Sequence, residues 1–436
     1  MTGPVTGPRT RAVVTGLGVL APTGLGADEH WAATAAGRAA IGPIGRFDAS
    51  TYPVRLAGEI GAFEPTDHLP SRLIPQTDRM TQLALVATEW ALADAALTVD
   101  EGCDFDFGVV TSASAGGFEF GQRELQKLWT EGPGTVSAYM SFSWFYAVNT
   151  GQISIRHKLR GPASALVTDQ AGGLDAVGHA RRLVRDGTPA VITAGVDSSL
   201  CPMGLVSQLP SGQLSERRDP ATAYRPFGLD ATGGVIGEGG AVLIVEDADA
   251  AARRGAPRIY GEIVGYAATF DPPPGSGREC GLGRAAAQAL AQADVLPDDI
   301  DVVFADAAGV PEADLAEAQA LEKLFGPGGV PVTAPKSMTG RLGAGAGALD
   351  VATALLAMRA GVVPPTVNVG DPAPGYQLDL VTAARRLPIR TALVLARGRG
   401  GFNAAIVLRG GPQPHDDEAA RDGDSGTAGT EERSGR

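Results

Sequence analysis

Residues 165–180 read ALVTDQAGGLDAVGHA. An apolar, strand-like piece runs through a small-residue elbow into a helix expected to span about Gly172 to Arg185. In the G-x-S-x-G enzymes an elbow of this form carries a nucleophile at its tip. A cysteine there would sit against free backbone N–H groups and the positive end of the helix dipole, which favour the thiolate. The tip here is Gln170, and a neutral carboxamide is not a nucleophile. Gly172 and Gly173 are expected to let the backbone turn sharply and leave the tip accessible. On its own the stretch favours a plainer reading, a strand-to-helix loop with an incidental glutamine.

The alternation continues outward. RAVVTGLGVLAP (11–22), DFGVVTS (106–112) and TPAVITAGVDSSL (188–200) read as strands. Asp28 is expected to cap a helix closed by Gly37, Asp78 to open a long one, and FEFGQRELQKLWTEG to form an amphipathic helix from near Phe118. PRIYGEIVGYAATF, DIDVVFADAAG and TALVLARGRGGFNAAIVLRG supply later strands, and GLGRAAAQALAQADV, EADLAEAQALEKLFG and the small-residue stretch ALDVATALLAMRAG later helices. Strands alternating with helices argue for an α/β fold with mostly parallel strands. The order around 301–325 echoes 107–130, so two similar halves are expected, 11–256 and 257–410. Residues 1–10 form a flexible Pro/Gly/Thr arm, and the acidic tail at 411–436 is expected to be disordered.

Formal charge is 36 − 49 = −13 over 436 residues, which argues against nucleic acid and against an anionic membrane surface. Cys103, Cys201 and Cys280 show no paired spacing, which suits a reducing compartment. The opening MTGPVTGPRTRAVVTG has no signal-like apolar core. No apolar run reaches the ~20 residues of a membrane helix. A cytoplasmic location is expected. No two histidines have metal-ligand spacing. GLGVLAPTGLG lacks the partners of a dinucleotide-binding loop. No metal and no cofactor are expected.

Three further stretches give the elbow its meaning. ADAAGVPEADLAEAQALEKLFG (305–326), APKSMTGRLGAGAG (334–347) and RPFGLDATGGVIGEGG (225–240) resemble motifs of the β-ketoacyl synthase family, which has the thiolase fold, two similar halves in α-β-α-β-α layers. In that family a cysteine sits in a DTACSSG-like elbow. One histidine lies in an HGTxT motif and another follows KS-x-x-G. The first region here keeps Pro311 and Asp314, with Asp306 at the histidine's place. The second keeps Lys336, Ser337, Met338 and Gly340, with Arg341 at the histidine's place. The third keeps Arg225, Pro226, Phe227 and Glu238. In RGRGGFN (397–403), Arg399 replaces the phenylalanine that gates the acyl channel. The resemblance covers 11–410. Its pattern of losses resembles the β-subunit, or chain length factor, of type II polyketide ketosynthases.

The resemblance implies a subunit of an acyltransferase complex that does not itself condense. Claisen condensation needs a thiolate and donors for the thioester oxyanion. Gln170 cannot be acylated, an ionised Asp306 only accepts hydrogen bonds, and Arg341 is a permanent cation. Asp306 and Arg341 are expected to face each other in a vestigial site. The implied partners are an active ketosynthase α-subunit, in a heterodimer pairing central strands across a two-fold, and an acyl carrier protein bearing malonyl and polyketide chains. The alternatives are a malonyl-carrier-protein decarboxylase acting through Gln170, and a ketosynthase using another cysteine. Related loading domains with glutamine at the elbow keep both histidines, and none of the three cysteines has a histidine motif nearby. The resemblance also places Phe118, Gly121, Leu125 and Phe142 at the far end of the acyl tunnel. Spacing alone gives Phe118, Gly121 and Leu125 one helix face and would be met by ordinary core packing.

Overall fold

The computed structural model describes residues 10–411, except 62, 100–103, 274 and 371. The arm and the tail lie outside it apart from Thr10 and Gly411, and Cys103 and His415 lie outside it too. Strands β1 (Ala12–Ala21), β2 (Phe107–Ser112), β3 (Ala163–Leu166), β4 (Ala190–Asp197) and β5 (Gly239–Asp247) stand in the order β3-β2-β4-β5-β1. Strands β6 (Gly261–Phe270), β7 (Val302–Phe304), β8 (Pro331–Thr333), β10 (Thr391–Gly398) and β11 (Phe402–Gly410) stand as β8-β7-β10-β11-β6, with β9 (Asp379–Leu380) beyond β8. Numbered along the chain, each set of five reads 3-2-4-5-1. β1 pairs with β6, Val13 opposite Glu262, and joins the sets into one sheet.

The strands are mixed rather than mostly parallel. β2, β3 and β4 are parallel, as are β7 to β10, but β5 and β11 run against both neighbours. Only three residues, Arg399–Gly401, separate β10 from β11. That is too short for the crossover a parallel pair needs.

Helices α1 (Arg79–Asp94), α2 (Phe118–Glu131), α3 (Val148–His157), α4 (Gly172–Arg185), α5 (Leu282–Ala293), α6 (Pro311–Phe325) and α7 (Ala344–Ala360) complete the layers. α4 and α7 pack together between the strand sets, α7 against β4, β5 and β10, α4 against β2, β4 and β6. α1 covers the outer face of the first set, and α5, with α6 upon it, covers the outer face of the second. The layers are therefore helix, strand, helix, strand, helix. α7 is buried on every side from Ala344 to Met358, so it needs small residues rather than an amphipathic stripe.

The glycines of GLGVL lie inside β1. A Cβ on Gly16 would stand 2.3 Å from the Ala91 carbonyl oxygen, and one on Gly18 1.9 Å from that of Ala87. They seat α1 on the strand, which is the physical reason for a pattern that imitates a nucleotide loop. Asp78 caps α1 as expected. Asp28 instead lies in the first turn of the helix Ala27–Ala35, whose cap is Gly26.

Candidate functional site

β3 ends at Leu166, a 3-10 turn covers Asp169–Ala171, and α4 begins at Gly172 and ends at Arg185. The glycines do not make the turn: Gly172 is helical, with φ −58°. The left-handed residue is Asp169, φ 51°, a conformation aspartate tolerates better than most residues. Gly172 and Gly173 are needed for close approach, because a Cβ on the first would meet Ser112 Oγ at 2.0 Å and one on the second the Ala344 carbonyl oxygen at 2.5 Å. Asp169 is held by the β10–β11 turn. Its Oδ2 accepts the Arg399 backbone N–H at 2.8 Å, and its Oδ1 lies 3.5 Å from Arg399 Nη2. Beside it, the Gln170 Oε1 is buried and has no hydrogen-bond partner among the described residues.

Asp306 and Arg341 meet. Arg341 Nη2 lies 3.1 and 3.2 Å from the two carboxylate oxygens, and Nη1 donates to the Asp306 backbone carbonyl at 2.8 Å. Asp306 Oδ1 also accepts the Arg397 backbone N–H at 2.9 Å. Burial alone would push the Asp306 carboxyl up. The positive charges of Arg341, Lys336 and Arg397 outweigh it and hold the group below the usual carboxylate range. α6 secures the loop from beneath: Glu317 accepts the Asp306 and Ala307 N–H groups at 2.7 and 2.8 Å, and Asp314 accepts those of Gly309 and Phe227 at 3.0 and 2.8 Å. Burial pushes Asp314 up to about 6, and burial followed by the Asp306 charge pushes Glu317 upward. Lys336 is buried, donates to the Ala305 carbonyl and pairs with Asp350 at 2.7 Å.

Two cavities flank the elbow. One, of about 190 Å³, includes Asp271, Asp306, Arg397 and Gly401 in its lining; the other, of about 340 Å³, includes Ser114, Phe118, Asp197 and Gly343. Asp169, Gln170, Gln208, Arg341 and Arg399 line both. Of the residues placed along the tunnel, Phe118 reaches this space and the others do not. Gly121 is buried under Trp144, Leu125 is exposed, and Phe142 is half-buried against Met80, Ala113 and Val148.

The sequence reading missed Asp169, Arg397 and Glu317. Glu317 left a signal: with Asp314 it puts two acids on one face of an otherwise alanine- and leucine-rich helix. Asp169 and Arg397 left none, because their partners are remote in the chain.

The histidines have structural settings. His30 is buried, its Nδ1 2.6 Å from Thr23 Oγ1 and its Nε2 2.9 Å from Thr353 Oγ1. Thr353 already donates to Leu349 O, so Nε2 carries the proton and Nδ1 accepts. Burial lowers this histidine to about 4. The unfolded chain takes up a proton from about pH 6.5 downward while the folded chain does not until about pH 4. His30 by itself is therefore expected to remove about 3 kcal/mol of stability across that window, against the opposite contribution of the buried carboxyls held high, Asp314 and Glu317 among them. Denaturant midpoints of the parent and of His30→Gln at pH 7 and 4.5 test this: between those two pH values the variant should lose less stability, or gain more, than the parent, and equal changes in both would refute the assignment. His68 stacks on Phe63, His157 lies 3.8 Å from Glu89, and His179 lies 3.3 Å from Ser164 Oγ. Burial pushes the Cys201 thiol up to about 11, and its sulfur accepts the Gly204 N–H.

The models of the β-ketoacyl synthase N-terminal and C-terminal domains match residues 9–251 and 260–370. The tetracenomycin polyketide synthase ketoacyl synthase beta subunit of Streptomyces glaucescens is 62% identical over 399 residues, covering 91% of this chain and 98% of that one. The ishigamide ketosynthase/chain length factor superposes with a TM-score of 0.83 at 27% identity, over 92% of this chain and 100% of that one. A type II polyketide synthase ketosynthase, solved with its acyl-carrier protein and bound to the hexaketide, superposes with a TM-score of 0.82 at 28% identity, over 92% of this chain and 100% of that one. No helix among the described residues is long and apolar enough to cross a membrane. The chain belongs to the β-ketoacyl synthase family, and within it is similar to the ketoacyl synthase beta subunit of a polyketide synthase.

Proposed function

We propose that this chain is the non-condensing β-subunit, the chain length factor, of a cytoplasmic type II polyketide ketosynthase heterodimer. In this reading it shapes the acyl tunnel and sets polyketide length while an acyl carrier protein delivers malonyl units. The observation that carries it is the Gln170 site. There is no nucleophile at the elbow, and the Arg341 guanidinium is committed to Asp306, so it offers no free fork to a thioester oxyanion.

The surface supports a partner subunit. Leu125, Trp129, Tyr139, Trp144, Phe145 and Tyr146, on α2 and the segment after it, are exposed, and large exposed apolar patches mark interaction sites. The strands β1 and β6, in the middle of the sheet, each have both edges paired within the chain, so they offer no free edge to a partner. The edge left open in the first set is β3, and pairing it with a second subunit would cover it. The tunnel face of α2, open in this chain alone, would then be closed by the α-subunit.

Co-expression with a ketosynthase α-subunit is expected to give a one-to-one complex that extends malonyl-carrier protein, and this chain alone is expected to extend nothing. Unaided extension by the isolated chain would sink the reading. The decarboxylase alternative has its own measurement. With an α-subunit whose cysteine is disabled, carbon dioxide release from malonyl-carrier protein is expected to be the same for Gln170 and Gln170→Ala, because the two cations that line both cavities with it, Arg341 and Arg399, are already paired with Asp306 and Asp169. A clear fall in the variant would restore that alternative.

A further inference from the structure

α2 has little apolar anchorage: of its fourteen residues only Phe120, Gly121 and Glu124 are buried. Trp129 on its last turn is 82% exposed. Polar ties must therefore fix where it lies. Glu124 accepts the Ser137 N–H at 2.7 Å, Gln122 accepts that of Met203 at 2.7 Å, and Glu119 pairs with Arg46 at 2.5 Å, each of them reaching a loop or a short helix. A further tie reaches the core helix α1. Asp78 is buried and uses both carboxylate oxygens: Oδ1 caps α1 by accepting the Met80 N–H at 2.9 Å, and Oδ2 accepts the Phe120 N–H on α2 at 2.7 Å. Two residues earlier, the Gln76 carbonyl accepts the Ser143 hydroxyl at 2.5 Å, next to Phe142. The packing leaves no slack, since a Cβ on Gly117 would meet Ser143 O at 2.2 Å and Asp78 Cβ at 2.8 Å.

We propose that Asp78, with Ser143, is a positioning residue for chain-length control, tying the wall formed by α2 and Phe142 to the N-terminus of the core helix α1. This rests on the tunnel-shaping role proposed above. Neither side chain would touch the acyl chain. Each would act by fixing how far the wall stands from its opposite face, and a wall free to move by a fraction of an ångström accommodates chains of more than one length.

The test uses the full chain with its ketosynthase α-subunit and carrier protein, reading product lengths and thermal stability together. Asn caps a helix about as well as Asp but offers only one acceptor oxygen. Asp78→Asn should therefore keep α1 and loosen α2, and Ser143→Ala removes the second tie. Both are expected to raise the ratio of off-length to main product about fivefold or more, the response of a rate ratio to about 1 kcal/mol. Asp247→Ala is the control. It removes a comparable cap, the one Asp247 makes to the Ala250 N–H, and touches no part of α2. An equal shift in that control would overturn the proposal, because general loosening would then suffice. An unchanged profile in Asp78→Asn and Ser143→Ala, with shortened product in Gly121→Thr, would overturn the proposal and leave the tunnel role standing. No change in any of the three at full turnover would overturn both.

Discussion

Arg341→Ala is expected to lower stability by about 3 kcal/mol, and adding Asp306→Ala to recover part of that loss. The side chains of Asp306 and Arg341 are only 3% and 12% exposed. Removing the cation strands a buried carboxylate, whereas removing both groups leaves a neutral cavity. The loss should fall at the low end for a buried pair, because Lys336 and Arg397 still act on Asp306 and the Arg397 N–H still donates to it. The converse change leaves Arg341 with the backbone carbonyl of residue 306 and the Tyr224 hydroxyl as partners. Denaturant midpoints of the two single variants and the double variant decide the matter. Effects that add to within about 0.5 kcal/mol would show that the two side chains are not coupled.

Gly121→Thr is expected to shorten the polyketide in a reconstituted synthase and to cut the parent-length product about tenfold. A Cβ at this position would stand 3.5 Å from Trp144 Cβ, so one methyl fits in ordinary contact. Threonine adds two further heavy atoms beside Trp144, which cost about 1–3 kcal/mol if that wall must yield and narrow the passage if it does not. Leu125→Phe should act in the same direction but less strongly, because Leu125 is 37% exposed in the chain alone and a larger ring has room to swing. Glycine at 121 and leucine rather than an aromatic at 125 are the reason to expect a long product, about ten or more acetate units, since less side-chain bulk in the wall leaves volume open. Product lengths settle it: an unchanged profile at undiminished turnover would mean that this face does not measure the chain.

What could be read from the sequence was what is local or carried by motifs. The helix after Gln170 has the expected ends, because apolar periodicity and its glycines mark it without tertiary help. The meeting of Asp306 with Arg341 followed from the resemblance, since the residues they replace converge on one site. Strand direction was not legible: alternating strands and helices suggest parallel pairing, and only the short Arg399–Gly401 turn betrays the hairpin. The reason for Gly172 and Gly173 was misread, because the close approaches of Gly172 to Ser112 and of Gly173 to Ala344 depend on residues 60 and 171 positions away, 172 − 112 and 344 − 173. The Asp169–Arg399 tie, 230 residues apart in the chain, leaves no local trace.

The helix layer between the two strand sets has a consequence for synthesis. The inner face of the first five strands is covered by α4 and by α7, and α7 ends at Ala360. A nascent chain that has completed β5 at Asp247 still lacks half of that cover. It must wait for more than a hundred further residues, 360 − 247 = 113, at about 5–20 residues per second. For that interval an apolar sheet face stands open on the ribosome. A truncated chain ending near residue 256 would keep it open permanently and is expected to aggregate rather than fold.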